Sequence, residues 1–182
     1  VKIGKSAISA YERSYVSMRN NNLVIEENLI DCFSIYGRNG SAAGIRLTNT
    51  IGSKIIHNNI LNAPWVGIIF DDPIDNIIEY NDISHVQTEY CDAGAIYCGQ
   101  SFIAQGNILR YNYIHDIIPY SDNIYGYLAA VYMDDLNCGF DINSNIIARS
   151  PIGILLGGGK NLSVTNNIII HDSVLKAIYP IN

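Results

Sequence analysis

Apolar and polar positions repeat along the chain in segments of about ten residues. Each segment holds an apolar pair or alternation, then an asparagine, and then an apolar residue two positions further on. The segments are 22–31, 53–62, 75–84, 106–115, 139–148 and 162–171, and their aligned asparagines are Asn28, Asn58, Asn81, Asn112, Asn145 and Asn167. Successive asparagines are 30, 23, 31, 33 and 22 residues apart, so the shortest repeat unit is about 22 residues and longer units carry loops.

A second pattern alternates with the first. It is a short run with β propensity, mostly preceded by glycine and followed by a turn-like pair. The runs are GIRL (44–47), GIIF (67–70), GAIY (94–97), AAVY (129–132), GILL (153–156) and KAIY (176–179). No stretch sustains a helical period, so the repeat unit consists of short strands and turns.

Short strands in a unit of this length predict an all-β fold, a right-handed single-stranded parallel β-helix of about six to seven coils. We expect one domain over residues 1–182, with 1–20 as a cap or an irregular first coil. The segment 6–18 is either a cap helix or that irregular coil. Because the chain starts at Val1 and ends within a further repeat, we expect a fragment of a longer protein, truncated at both ends.

Equivalent positions of a β-helix stack from coil to coil, so the alignment of the runs predicts which side chains share a face. The alignment assigns one inward-facing column to Leu47, Phe70, Tyr97, Tyr132, Leu156 and Tyr179. Arg46, next to Leu47, should face outward. The aligned asparagines should form an amide ladder inside a turn, where their side chains bond to each other and to the turn backbone.

Composition narrows the classes of function. The 182 residues carry a formal net charge of -6, with 48% apolar and only 15% charged residues, which is typical of a folded protein. The basic residues are scattered singly, whereas a nucleic-acid site would cluster them and a site for polyanionic sugar would need several. No apolar run reaches the roughly 18 to 20 residues of a membrane span. We therefore expect a neutral substrate rather than a polyanionic one, and neither nucleic acid nor membrane as partner.

Aspartates near the strand ends are the candidates for chemistry. The fifth position after the run's first small residue holds Asp72 and Asp134 two coils apart, with Gly99 between them. Paired carboxyl groups at such a distance suit glycoside hydrolysis. Asp92 lies two residues before Gly94, at the opposite end of its strand from Asp134, and an aspartate before glycine is also a common turn residue.

Other readings of these residues remain open at the level of sequence. The pairs Asp71-Asp72 and Asp134-Asp135 are alternatives as calcium ligands, because hard cations bind several oxygens. We assign Tyr97 and Tyr132 to the core, with stacking on substrate as the alternative. The histidines show no metal spacing and mostly accompany the asparagine segments, so we assign them to turn packing: His57, His85, His115 and His171. The four cysteines show no CxxC spacing, which argues against a zinc site.

The phrases DAGAIY (92–97) and VYMDD (131–135), set among these repeats, resemble the parallel β-helix proteins of bacterial carbohydrate utilisation. More narrowly, they resemble the glycoside hydrolase family with α-L-fucosidase and xylanase activities on plant cell-wall glycans, and the resemblance covers about residues 40–179. The resemblance implies two catalytic aspartates, Asp92 and Asp134, with Asp135 as the substitute. We also expect Asp72, Tyr97, Gln100 and Tyr132 to bind substrate. The expected protein is a secreted, extracellular or periplasmic enzyme with no cofactor, and Ca²⁺ is the alternative.

Two other functions are compatible with the same architecture, because fold does not dictate function. A polysaccharide lyase or uronate epimerase would need a basic or tyrosine side chain as proton acceptor and usually a cation. A non-catalytic glycan-binding or structural module would need neither. The sequence thus predicts a β-helix with a carbohydrate substrate and leaves the reaction to be tested.

Overall fold

A computed structural model describes residues 6–11, 19–31, 43–120, 126–170 and 178–180. These residues form 19 β-strands and no helix. Within the described ranges there is accordingly no helix of the length and apolar character that crossing a membrane requires.

The strands belong to three sheets. The first sheet has seven strands: β1 (Ile8–Tyr11), β4 (Ala43–Thr48), β7 (Val66–Asp71), β10 (Ala93–Cys98), β13 (Leu128–Met133), β16 (Ile152–Leu156) and β19 (Ile178–Pro180). The second has six: β2 (Val24–Glu26), β5 (Lys54–Ile56), β8 (Ile77–Glu79), β11 (Asn107–Arg110), β14 (Phe140–Asn143) and β17 (Leu162–Thr165). The third has six: β3 (Leu29–Asp31), β6 (Asn59–Leu61), β9 (Asp82–Ser84), β12 (Tyr113–His115), β15 (Ile146–Ala148) and β18 (Ile168–Ile170).

Every strand pairs in parallel with the strand three places earlier or later in the chain. One strand from each sheet therefore makes one coil, which gives six coils of three strands, and β19 begins another. This arrangement is a parallel β-helix, as the repeat predicts. In the segment 6–18, residues 8–11 form strand β1, which pairs with β4, and residues 12–18 lie outside the described part of the chain.

The core lies between the three sheets. Ile and other aliphatic side chains dominate it, with Phe70 and Phe140 the largest among the fully buried residues. The three-residue strands of the second and third sheets contribute their central residue, as Ile78 does in β8 and Ile83 in β9, whereas the four-residue strand β14 contributes both Phe140 and Ile142. Because an alternating strand buries one face only, these short strands need just one or two apolar residues each.

The predicted asparagine ladder is confirmed. Each Asn amide nitrogen donates to the side-chain oxygen of the next asparagine, at 2.9 to 3.0 Å, from Asn28 through to Asn167. The residue before each ladder asparagine has a positive φ of 54° to 57°: Glu27, His57, Tyr80, Tyr111, Ser144 and Asn166 on the described coils. The ladder amides bond to backbone carbonyls around this left-handed turn, which offsets the cost of its conformation.

The predicted inward column is wrong for Tyr97 and Tyr132. Leu47 pairs with Phe70, but Phe70 pairs with Cys98, which in turn pairs with Met133. The two tyrosines therefore share the outward column of Arg46, and they pack in small clusters separate from the main core. In the same register Tyr179 pairs with Leu155 rather than Leu156.

A break in the inward–outward alternation of the first-sheet strands explains why the predicted alignment is wrong by one residue. The pairs Gly94 with Ala129 and Ile96 with Val131 place Ala95 beside Ala130. Both alanines are fully buried in the core next to a residue that also faces inward. In the preceding coil Gly67 holds this position, where an added Cβ would lie 2.9 Å from Ile83 Cγ2. The position accepts only small side chains, and it is Ala95, not Gly94, that aligns with Gly67.

Candidate functional site

The site is built around Asp134, which follows β13 on the outward face of the first sheet. The Tyr97 hydroxyl donates a hydrogen bond of 2.6 Å to Asp134 Oδ2. Interaction with the same carboxylate contributes to the raised pKa of the Tyr132 hydroxyl. The backbone amide of Asp135 donates to Asp134 Oδ1 at 2.8 Å. Tyr97 and Tyr132 are direct neighbours in β10 and β13, so the parallel register brings both phenols to one carboxylate.

The two phenols are held in their neutral, donating form. Burial raises the pKa of Tyr97 well above its usual range, and the hydrogen bond to Asp134 raises that pKa further. The same causes, in the same order, raise the pKa of Tyr132. Neutral phenols keep their protons for donation, so the Asp134 carboxylate acts as the acceptor in these contacts.

Asp92 lies at the other end of this face. It precedes β10, whereas Asp134 follows β13 in the next coil, and a straight six-residue strand would hold their backbones roughly 20 Å apart. Yet the negative charge of Asp92 contributes to the raised pKa of both Tyr97 and Tyr132. The two phenols thus interact with two carboxylates: Asp134, which is bonded directly to Tyr97, and Asp92, which acts through its charge.

Asp92 also has a structural role. Its backbone has a φ of 58°, in the left-handed region that asparagine and aspartate tolerate best among residues other than glycine. Its amide donates to the Tyr127 carbonyl at 2.7 Å, which joins the start of β10 to the start of β13. Replacement by asparagine preserves this backbone preference and removes only the charge.

Aromatic side chains surround the central pair of tyrosines. Tyr97 and Tyr132 meet edge to face at 5.5 Å between ring centroids. Trp65 lies 6.4 Å from Tyr97, and Tyr127 lies 6.0 Å from Tyr132. The surface beside Asp134 therefore combines aromatic rings with carboxylates, a mixture suited to a ligand with apolar faces and polar edges.

The aspartates on the other side of Asp134 differ from those expected. Because Phe70 pairs with Cys98, continuing the register by one residue places Asp71 beside Gly99, and Asp72 beside Gln100. The prediction that Asp72 shares a column with Gly99 and Asp134 is wrong, since Asp71 takes that place. Asp71 bonds to Arg46 at 2.7 Å and to Thr48 at 2.9 Å.

A small polar pocket opens at this end of the strands. It has a volume of about 160 Å³ and is lined by Asp71, Asp72, Gly99 and Gln100, and we call it the Gly99 pocket. Ser101 donates to Asp72 Oδ1 at 2.7 Å, which orients one side of the pocket. The Gln100 amide lies 3.4 Å from Asp135 Oδ2, so Asp135 contacts the pocket wall.

Three carboxylates converge near the end of β10. Burial raises the pKa of the Cys98 thiol, and the charges of Asp71, Asp72 and Asp134 raise it further. Within the described ranges, no group of three or more His, Cys, Asp or Glu side chains is arranged to hold a metal ion.

The structure brings most of the predicted site residues together. Tyr97, Tyr132 and Asp134 are in contact, and Gln100 links to Asp135. Sequence reasoning missed Trp65 and Tyr127. Both stand just before a strand of the first sheet, and their aromatic character at equivalent repeat positions was the available signal.

Comparison of the chain with protein-family models, curated proteins and solved structures finds no match.

Proposed function

We propose that this protein is a glycoside hydrolase that acts on a neutral plant cell-wall glycan, with Asp134 and Asp92 as its two catalytic carboxyl groups. The observation that carries the proposal is the Asp134 carboxylate, which accepts a hydrogen bond from the neutral Tyr97 phenol on an aromatic outward face where the charge of Asp92 also acts. The resemblance of the phrases around Asp92 and Asp134 to a glycoside hydrolase family adds support.

The contacts suggest a role for each carboxyl group. Asp134 accepts hydrogen bonds from the Tyr97 hydroxyl and the Asp135 amide, so its carboxylate oxygens are oriented as acceptors. In the proposed reaction the Asp92 carboxyl group gives a proton to the oxygen of the leaving sugar. Asp134 takes a proton from a water molecule whose oxygen bonds to the anomeric carbon as the glycosidic bond breaks.

The distance between the two carboxyl groups decides the stereochemical outcome. A retaining pair of carboxyl groups stands about 5 to 5.5 Å apart, whereas an inverting pair stands about 6.5 to 9.5 Å apart and leaves room for a water molecule. Asp92 and Asp134 occupy opposite ends of their strands, so the proposed reaction requires the segments that carry them to bring the two carboxyl groups closer together than a straight strand would. The sugar at the cleaved bond would lie over Tyr97 and Tyr132.

Neutral substrate fits the charge of the site. Asp71, Asp72, Asp92, Asp134 and Asp135 all lie on or beside this face. Arg46, the basic residue next to them, is held by Asp71. Like charges would repel an anionic sugar, whereas carboxylates accept hydrogen bonds from hydroxyl groups readily.

The test is hydrolysis of neutral xylan and fucosylated xyloglucan by the wild-type chain and by Asp134→Asn and Asp92→Asn. Each substitution should lower kcat by roughly 100- to 10,000-fold, as expected for loss of an acid or base catalyst. The melting temperature should stay close to that of the wild type. Proton NMR of the first product should show which anomer forms, and thereby whether the reaction inverts or retains the anomeric centre.

Asp141→Asn is the matched control, because Asp141 lies on the second sheet and bonds to Asn143. It should keep full activity. If Asp134→Asn and Asp92→Asn retain wild-type kcat, or if they lose activity only because they unfold, the catalytic assignment fails. An unsaturated, ultraviolet-absorbing product would instead identify a lyase, and glycan binding without turnover would identify a binding module.

A further inference from the structure

Asp134 lies between two glycines of the neighbouring coils. Packing of the backbone requires a glycine at one of these positions and does not require it at the other. Continuing the strand register by one residue places Gly99 on one side of Asp134 and Gly157 on the other. The Gly157 amide donates to the Met133 carbonyl at 2.7 Å, and the Asp134 amide donates to the Cys98 carbonyl at 3.0 Å. Both glycines are thus fixed parts of the first sheet's hydrogen-bonding pattern.

The packing of the backbone requires Gly157. A Cβ added there would lie 2.6 Å from Asp135 N and 2.8 Å from Asp134 C, which are backbone atoms that cannot move aside cheaply. Any larger residue at Gly157 would displace the segment that holds Asp134. The lack of a side chain at Gly157 therefore needs no functional explanation.

Neither conformation nor packing requires Gly99. Gly99 is not among the residues with a positive φ. A Cβ added to it would meet Tyr97 Oη at 3.7 Å and Tyr97 Cε1 at 3.8 Å, both ordinary contacts. The fold would therefore accept a side chain at this position, and the space that glycine leaves is the Gly99 pocket.

The pocket adjoins the catalytic carboxylate through Tyr97. The Tyr97 hydroxyl that would touch an added Cβ is the one that donates to Asp134 at 2.6 Å. The pocket also presents hydrogen-bonding groups of both kinds, because the carboxylates of Asp71 and Asp72 accept and the Gln100 amide donates. Ser101 engages Oδ1 of Asp72, so Oδ2 can accept from a ligand.

We propose that the Gly99 pocket is a sugar-binding subsite and that Gly99 determines its specificity, by leaving room for a neutral sugar ring whose hydroxyl groups bond to Asp72 and Gln100. This inference rests on the proposed glycan substrate and identifies where the sugar next to the cleaved bond is bound. The two carboxylates of the pocket exclude a uronic acid at this subsite, because its carboxylate would be repelled and left without a cationic partner.

The test fills the pocket without disturbing the fold. Gly99→Ala and Gly99→Val should melt close to the wild type, since the first added atom makes only ordinary contacts. Binding is measured by calorimetry in chains that carry Asp134→Asn, with xylohexaose, a fucosylated xyloglucan oligosaccharide and a glucuronoxylan oligosaccharide as probes. A blocked subsite should raise Kd for a neutral probe by about tenfold or more.

Gln100→Ala provides a second variant that enlarges the pocket instead of filling it. Gln100 is exposed, so its removal should leave the fold intact and weaken binding of the same neutral probe through loss of the amide donor. Gly157→Ala is the contrasting control, and it should lower the melting temperature because its Cβ meets backbone.

Each outcome separates the subsite from the proposed reaction. Unchanged Kd and KM in Gly99→Ala, Gly99→Val and Gln100→Ala overturn the subsite, even if the wild type hydrolyses glycans. Weakened neutral-probe binding in these variants supports the subsite, and it does so even if no turnover is seen, in which case the hydrolase proposal alone falls. Failure of the parent chain to bind any probe, or a preference for the uronic acid probe, overturns the subsite as well.

Discussion

The substitution Asn112→Asp tests the amide ladder at its centre. Asn112 is 1% exposed, and its amide nitrogen donates to the carbonyls of Ile78 at 2.9 Å and Arg110 at 3.0 Å, and to Asn145 Oδ1 at 3.0 Å. Its side-chain oxygen accepts from the backbone and side-chain nitrogens of Asn81. Aspartate keeps the shape of the side chain and replaces the donating nitrogen with an oxygen.

The magnitude follows from these five contacts. Asn112→Ala removes all of them and leaves the buried Asn81 amide without its acceptor, so at about 1 kcal/mol net per bond the expected loss is about 3 to 5 kcal/mol. Asn112→Asp should cost more at pH 7, because an ionised oxygen would then face three acceptors in a buried turn. A domain of ordinary stability has about 5 to 15 kcal/mol in total, so either change is severe.

The pH dependence gives the second part of the test. Burial opposite three acceptors should raise the pKa of the introduced carboxyl group in the folded state above that in the unfolded chain. The penalty is therefore full at neutral pH and decreases as the pH falls through the raised value and the group becomes a neutral donor. The penalty of Asn112→Ala has no such dependence.

The assay is urea unfolding followed by circular dichroism at pH 7 and at pH 4.5, with the same measurements on Asn28→Asp. Asn28 is at the end of the described ladder, where its amide donates to Glu26 O and Asn58 Oδ1 from a partly exposed position. That control should lose about 1 kcal/mol or less. If Asn112→Asp unfolds at the same urea concentration as the wild type at pH 7, the ladder does not have the hydrogen bonds described here.

Two further predictions concern charge and reactivity elsewhere in the coil. The Arg149 guanidinium holds the pKa of the Asp116 carboxyl well below its usual range, so this pair stabilises the fold above about pH 4 and the stabilisation disappears as the pH falls through the lowered pKa. Arg149→Met should therefore lower the melting temperature at pH 7, and its difference from the wild type should shrink in acid; an equal difference at both pH values would contradict the pairing. Cys98 and Cys138 are buried whereas Cys91 is partly exposed, so iodoacetamide at pH 8 should modify native Cys91 and leave the other two unmodified, as peptide mass spectrometry would show. Rapid labelling of Cys98 would be inconsistent with the burial that raises its pKa.

The repeat was accessible from the sequence because each coil carries its own local signals. An asparagine in every turn and one apolar residue at the centre of each short strand were enough to predict the coil, the ladder and the stacking of strands. These features depend on contacts between equivalent positions of successive coils. A repeated residue therefore predicts its own partner, and no knowledge of the loops is needed.

The sequence did not predict which face of the sheet Tyr97 and Tyr132 occupy. Side chains in a strand alternate, so an alignment that is wrong by one residue reverses their direction. The phrase GAIY suggested that Gly94 aligns with Gly67, whereas the strand pairing aligns Ala95 with Gly67. Both residues are small, so the local sequence could not distinguish the two alignments. The pairing of whole strands decided between them.

By itself, the sequence determined the parallel β-helix and its amide ladder, and resemblance added Asp92 and Asp134 as candidates. Only the tertiary structure showed that Tyr97 bonds to Asp134, that Tyr132 packs against Tyr97, and that a pocket lies at Gly99. The physical reason is the difference in range. The ladder joins residues that repeat the same local turn, whereas the site joins unlike residues from neighbouring coils, whose relative positions depend on strand register and loop length together.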